Sequence, residues 1–220
     1  IETNQFGAFN QKNIGFALAA FEAAGLERPK QSFIRFNQIR RRQNILYFSS
    51  QVVVLEDYAH HPKEIQAIAQ ALAEVSSARK IVVFQPHRYS RTKSLKSELV
   101  DSLAEFDLVY LMDVYAASEE LIPGGNGEDL YLACKEKIGD CRFFESDKLL
   151  ISELLADCAN GADSVVTFLG AGRTDVVGKR FAEELKFGDR RWGNFFYKLA
   201  PKASFQSRLR SNEPLARKTT

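Results

Sequence analysis

Cysteine is scarce in this chain of 220 residues. There are three, Cys134, Cys141 and Cys158, with no Cys-x-x-Cys spacing. So odd and sparse a set excludes a disulfide framework and a thiolate zinc site, and it points to buried thiols in a reducing, cytoplasmic setting. Histidine is equally rare, with three residues. No third His or Cys stands at ligand spacing from His60 and His61, so no metal site is expected. No apolar run is long enough to span a bilayer, which excludes a membrane-spanning role. The chain opens without Met and without a signal-peptide pattern, and is expected to be part of a longer one. A phosphate loop is lacking. Gly172 and Gly178-Lys179 are separated by five residues where that loop has four, and Arg180 stands where a Ser or Thr would hold magnesium. A dinucleotide Gly-x-Gly-x-x-Gly fingerprint is lacking too, because Asp175 occupies the third glycine position after Gly170 and Gly172. No internal repeat is visible.

What is present is an ordinary globular balance, 45% hydrophobic, in a length that suits one domain or one domain and a fragment. The net charge of +2 hides an asymmetry: residues 186–220 carry nine Lys or Arg against two Asp or Glu, leaving 21 against 26 for the remainder. A basic, aromatic tail on an acidic body marks a change of segment. Without a recognition motif it implies no nucleic-acid partner, and it reads as a linker over residues 187–220.

Periodicity supplies the fold class. An Ala-rich helical run covers Ile14 to Gly25, a second helical piece is expected around Phe33 to Gln43, and a short strand lies at Ile45 to Phe48. From Val52 the pattern is regular: strand 52–56, helix 62–76, strand 80–85, helix 91–105, strand 107–112, a long loop, helix 128–138, strand 141–144, helix 147–160, strand 163–169 and helix 175–186. Strands alternating with helices at this spacing predict an α/β fold, a mostly parallel, Rossmann-like sheet with helices on both faces.

Two strand ends carry chemistry. After Val52-Val53-Val54-Leu55 come Asp57-Tyr58-Ala59-His60-His61-Pro62; after Ile81-Val82-Val83-Phe84 come Gln85-Pro86-His87-Arg88-Tyr89-Ser90-Arg91-Thr92. Ligands of open α/β sheets bind at such carboxyl-terminal strand ends, so the two loops are expected to line one site. Asp57 is placed to accept from ribose hydroxyls, or is a surface acid. His60 and His61 stand at a helix start, where neutral imidazole is favoured. Arg88 and Arg91 sit where a helix amino terminus is already positive, a poor place for solvated cations. Their planar forks suit a carboxylate.

These stretches, with Asp113-Val114-Tyr115-Ala116-Ala117-Ser118-Glu119, Ile122-Pro123-Gly124 and Gly170-Ala171-Gly172, resemble the Mur ligases, and within them the branch that joins L-alanine to UDP-N-acetylmuramate. The Phe-Gln-Pro-His-Arg-Tyr piece is the most specific. The resemblance implies the end of a central ATPase domain over residues 1–46 and the family's C-terminal Rossmann-like domain over 50–186. It implies ATP and Mg2+ as cofactors, with the metal ligands in domains outside these residues. Asp57, Asn10 and Asn13 would hold the nucleotide, and Arg41 or Arg42 would reach its terminal phosphates. Arg88 and Arg91, with Tyr58 and His87, would hold L-alanine; His60 and His87 would be catalytic. Departures are Phe9 for the usual His, Gln38 for a Gly, Gln43 for an aromatic or apolar residue, and Arg173 for an acid. The residues 212–220 resemble the opening of the UDP-N-acetylenolpyruvoylglucosamine reductases. The reading of the residues alone leaves a second function open, a non-catalytic nucleotide or amino-acid binding module of the same fold.

Overall fold

The computed structural model describes residues 2–3, 7–26, 33–34, 40–75, 78–160 and 162–192. The body of the chain is a six-stranded sheet. Its strands are β3 (Asn44–Phe48), β4 (Val52–Asp57), β5 (Arg79–Phe84), β6 (Leu108–Met112), β7 (Cys141–Phe144) and β8 (Ser164–Leu169), in the spatial order β3-β4-β8-β5-β6-β7. All neighbours pair in parallel except β3, which runs antiparallel to β4 at the edge. A minor two-stranded pairing joins β1 (Glu2–Thr3) to β2 (Phe33–Ile34).

The central strands are continuous apolar runs because both faces are covered. Residues of β4 and β5 alternate between two cores. Val53, Leu55, Val82 and Phe84 meet α2 (Pro62–Val75), α4 (Lys96–Leu103) and α5 (Gly127–Lys137) through Ile65, Leu72, Leu99 and Leu130. Val54, Ile81 and Val83 meet α6 (Asp147–Ala159) and α7 (Thr174–Trp192) through Leu150, Leu154, Val177 and Phe181. The period-2 strand and the 3.6-residue helix stripe, as in Ile65, Ile68, Ala69 and Leu72 of α2, thus generate a three-layer domain.

The α/β class and the parallel sheet are as expected, and most boundaries fall within a residue or two. Four local expectations fail. The helical piece at Phe33 to Gln43 is not formed where it is described: 33–34 is strand, and 40–43 is a turn in which Arg41 (φ 59°) and Gln43 (φ 46°) are left-handed, while the rest of that stretch lies outside the described residues. The helix expected at 91–105 is two, α3 (Tyr89–Ser94) and α4, broken at Leu95 (φ −110°). The hydroxyls of Thr92 and Ser94 donate to the carbonyls of Arg88 and Arg91, local bonds that compete with the helix ladder. Helix α7 runs on to Trp192 instead of stopping at 186. Helix α1 (Ala8–Ala23) starts six residues earlier than the Ala-rich run suggests and buries none of its side chains fully.

A polar network fastens the sheet's opposite half. The hydroxyl of Tyr110, itself fully buried, donates to Asp157 of α6; Arg142 of β7 donates to the same carboxylate at 2.8 Å and to the Tyr110 oxygen at 3.1 Å. Burial first, then the Asp157 bond and charge, push the phenol well above its ordinary value. Tyr110→Phe leaves the ring's packing but removes that donor, and is expected to cost about 1–3 kcal/mol, read as a lowered urea midpoint at pH 7. An unchanged midpoint would mean that Arg142 alone satisfies Asp157.

Candidate functional site

Strand register builds the site. Asp57 pairs with Leu169, and Leu169 with Phe84, so β4, β8 and β5 end on one line. The chain leaves β8 toward α7 on one face, and leaves β4 and β5 toward α2 and α4 on the other. Such a reversal opens a crevice at the carboxyl ends of the strands. Into it come the loops 57–62, 85–92 and 170–173, joined by 113–119 from β6.

Asp57 is buried. Its two oxygens accept the backbone N–H groups of Gln43 (2.9 Å) and Ala59 (2.8 Å). Burial, the largest influence, raises its carboxyl above the ordinary value, against those two bonds and the charge of Arg42. Each oxygen keeps a further lone pair. Asn10 of α1 donates to the Gln43 side-chain oxygen at 2.8 Å, which brings it to the same turn. The Gln43 amide nitrogen is buried without a partner among the described residues. Asn13 is exposed on α1, and Arg42 is exposed beside Asp57 and Glu64.

The imidazoles meet as expected: the rings of His60 and His87 are 5.5 Å apart, with Tyr58 edge-on to His60 at 5.4 Å and Tyr115 stacked on His87 at 5.7 Å. Their partners assign opposite tautomers. His60 Nδ1 lies 2.9 Å from the Tyr58 carbonyl, which only accepts, so Nδ1 carries the proton and Nε2 keeps its lone pair. His87 Nδ1 lies 3.3 Å from the Arg91 guanidinium, which only donates, so Nδ1 is the acceptor and Nε2–H points elsewhere. Of the two rings, His60 therefore has the acceptor nitrogen not already bonded to a cation. His61 accepts from the Lys63 N–H at the start of α2. Burial raises the Glu64 carboxyl, but the N–H groups of His60 and His61 and the His60 ring outweigh it and hold it below the usual range.

The cations at the start of α3 do have an anion. Glu119 accepts the Ser90 N–H and hydroxyl (3.0 and 2.6 Å) and stands 4.0 Å from Arg88, whose guanidinium is half-exposed. The Ser90 bonds and Arg88 keep the Glu119 carboxyl below its ordinary value. Arg88 itself is left-handed (φ 69°), as are Ala117 (φ 50°) and Ser118 (φ 69°) opposite it.

Residues 40–172 match the family described as Mur ligase, glutamate ligase domain. The chain belongs to the Mur ligase family. Two curated relatives are UDP-N-acetylmuramate–L-alanine ligases. That of Koribacter versatilis is 33% identical over 81% of this chain and 38% of its own length; that of Syntrophomonas wolfei is 37% identical over 81% and 38%. The chain thus spans little more than a third of the length of these ligases. Among solved structures, the UDP-N-acetylmuramate–alanine ligase of Thermotoga maritima aligns over 83% of this chain and 39% of its own with a TM-score of 0.65 at 23% identity. The MurF ligase of the same organism, in complex with ADP, aligns over 84% and 40% with a TM-score of 0.60 at 18% identity. At those identities the likeness shows the Mur ligase fold alone.

Against the residues expected in this Mur ligase site, the structure gathers Asp57, Tyr58, His60, His87, Arg88, Arg91, Arg41 and Arg42 at one strand edge. Asn10 reaches it through Gln43, while Asn13 faces solvent. Three contributors were not singled out from the sequence: Tyr115, Glu119 and Gln85. Each lies in a loop that carries other quoted motif residues, but only folding shows that Gln85 ties two loops together and that Tyr115 lies against His87. No group of three or more His, Cys, Asp or Glu able to hold a metal ion is found among the described residues, and no described helix is long and apolar enough to cross a membrane.

Burial and the charges of His60, Arg91 and Arg88 hold the His87 pKa below the ordinary imidazole value, with Glu119 pulling the other way. The unfolded chain then takes up the proton first, so stability is present above the ordinary value and lost as pH falls through the folded one. The denaturant midpoint is expected to drop across that window, and His87→Gln to flatten the drop. An equal drop in the variant would trace it to other groups.

Proposed function

We propose that this chain supplies the amino-acid-accepting half of a ligase that joins L-alanine to UDP-N-acetylmuramate at the expense of ATP, in peptidoglycan precursor synthesis. The observation that carries the reading is the pair Arg88 and Arg91 beside His87, Tyr58 and His60 on one strand edge, with Arg88 half-exposed and only loosely paired to Glu119. The relatives' names supply the substrates.

In this reading ATP phosphorylates the carboxylate of UDP-N-acetylmuramate. The amine of alanine adds to the acyl phosphate, and phosphate leaves as the amide forms. The arginines hold the alanine carboxylate, so the amine is oriented toward the acyl carbon. The free Nε2 of His60 takes the proton that the amine must lose, while His87, bonded at Nδ1 to Arg91, steadies that guanidinium. Asp57, Arg42, Asn10 and Asn13 serve the nucleotide. The unsatisfied Gln43 nitrogen beside Asp57 and Asn10 fits a polar ligand there. Mg2+ neutralises the crowded phosphates, on ligands from domains outside these residues. Residues 1–46 belong to the end of a central ATPase domain, 50–186 to the C-terminal domain, and 187–220 lead toward a reductase-like segment. The protein works in the cytoplasm.

Two measurements bear on this. The 220-residue chain by itself is expected to release no phosphate from ATP in response to L-alanine and UDP-N-acetylmuramate, because no phosphate loop is present; turnover would overturn the division of labour. In a ligase completed with the preceding domains of a relative, Arg88→Ala and Arg91→Ala should each remove a charge-assisted contact of about 1.5–3 kcal/mol, a roughly ten- to hundredfold rise in KM for alanine. KM for ATP should stay put. An unchanged alanine KM with weakened ATP binding would assign the pair to phosphate instead.

A further inference from the structure

Arg41 or Arg42 was expected to reach the terminal phosphates, yet the Arg41 guanidinium is already engaged. Nη2 donates to the carbonyls of Gly170 (2.6 Å) and Gly172 (2.9 Å), and Nη1 to that of Ala171 (3.4 Å). The same group lies over the Tyr58 ring, 4.7 Å from its centre, and the Arg41 carbonyl accepts the Tyr58 N–H at 2.8 Å. Three of five guanidinium donors are thus spent on successive backbone carbonyls. The left-handed backbone of Arg41 is what turns the side chain toward β8.

The loop that Arg41 grips is in turn wedged against the imidazole cluster. The Arg173 N–H donates to Gln85 Oε1 at 2.7 Å, and Gln85 Nε2 donates to the Asp113 carbonyl at 3.2 Å. At Gly172 an added Cβ would stand 2.3 Å from Gln85 Oε1 and 2.9 Å from Tyr115 Cβ. Tyr115 is the ring stacked on His87, and its carbonyl accepts the Arg88 N–H at 2.9 Å. A continuous set of contacts therefore runs from Arg41 through 170–173, then Gln85 and Tyr115, to His87, Arg88 and Arg91.

We infer that Arg41 is a positioning residue: its guanidinium clamps the Gly170–Gly172 carbonyls and so sets Tyr115, His87 and the arginine pair, while Arg42 stays exposed. This rests on the reading of the edge as an amino-acid site only for its consequence in turnover; the clamp itself is tested without it. Lysine cannot replace the clamp, since a single ammonium lacks the planar fork that spans three carbonyls.

The chain has three histidines, so their ring resonances are separable by NMR in the 220-residue protein. Arg41→Ala is expected to move the His87 ring resonances and shift its titration midpoint up toward the ordinary value, as the packing of Tyr115 loosens. Burial is the largest influence holding that midpoint down, ahead of the charges of His60, Arg91 and Arg88, and it is what looser packing reduces. His61, whose hydrogen-bond partners are at the start of α2, should not move. Arg41→Lys should restore the shift only in part. Gly172→Ala pushes the same loop from the other side with Arg41 intact, and should disturb His87 alike, which keeps the test alive if Arg41→Ala does not fold. His87 unmoved in folded Arg41→Ala, or in Gly172→Ala, overturns the proposal. In the completed ligase, Arg41→Ala should raise KM for alanine roughly tenfold with KM for ATP unchanged. A rise for ATP alone would make Arg41 a phosphate contact and overturn it as well. Should Arg88→Ala leave the alanine KM untouched while His87 still responds to Arg41, the clamp stands and only the substrate assignment falls.

Discussion

The pairing of β8 between β4 and β5 is the constraint on which the rest depends. It is the last strand among the described residues and an inner one in the sheet, hydrogen-bonded on both sides and buried along its whole length. Until it inserts, β4 and β5 have no fixed separation, because they pair with β8 and not with each other. Its register brings Asp57, Leu169 and Phe84 level, and the loops that follow are therefore forced to a common edge. The reversal of connection direction at this strand keeps helices from covering that edge.

The electrostatics of the edge follow from its backbone. All five non-glycine residues with positive φ among those described, Arg41, Gln43, Arg88, Ala117 and Ser118, lie around it. Unfavourable backbone conformations persist where surrounding structure over-determines them, and they gather at functional sites. Here three of them serve an identifiable contact. Arg41 turns onto three carbonyls, Gln43 offers its N–H to Asp57, and Arg88 presents a half-exposed guanidinium at the start of α3. The result is an edge rich in cations and rings, with its carboxylates, Asp57, Glu64 and Glu119, already accepting hydrogen bonds from the backbone.

The two histidines show how an ordinary geometry yields two chemical roles. Both are imidazoles at strand ends, 5.5 Å apart. One faces a carbonyl and the other a guanidinium. A carbonyl forces a proton onto Nδ1 and a guanidinium forbids one there, so the open nitrogen of one ring is an acceptor and that of the other a donor. Neither residue type nor position in the chain distinguishes them; their partners do.

The sequence by itself determined the alternation of strands and helices and the strand ends that carry Asp57, His60, His87, Arg88 and Arg91. Periods of 2 and 3.6 residues and the runs of β-branched side chains are local properties, legible without a fold. It also shows no Cys-x-x-Cys spacing, no phosphate-loop spacing and no apolar run long enough to span a bilayer. Its failures were at the start of α1, at 33–34 and 40–43, at Leu95 and at the end of α7; at 40–43 left-handed turns and at Leu95 hydroxyl bonds to the backbone outweigh short-range propensity. Strand order, the placement of 170–173 between the two histidine loops, the imidazole tautomers and the carbonyl partners of Arg41 belonged to tertiary structure alone. Each depends on groups far apart in the chain, and a pairing across more than a hundred residues, such as Arg41 with Gly170, leaves no periodic trace in the sequence that makes it.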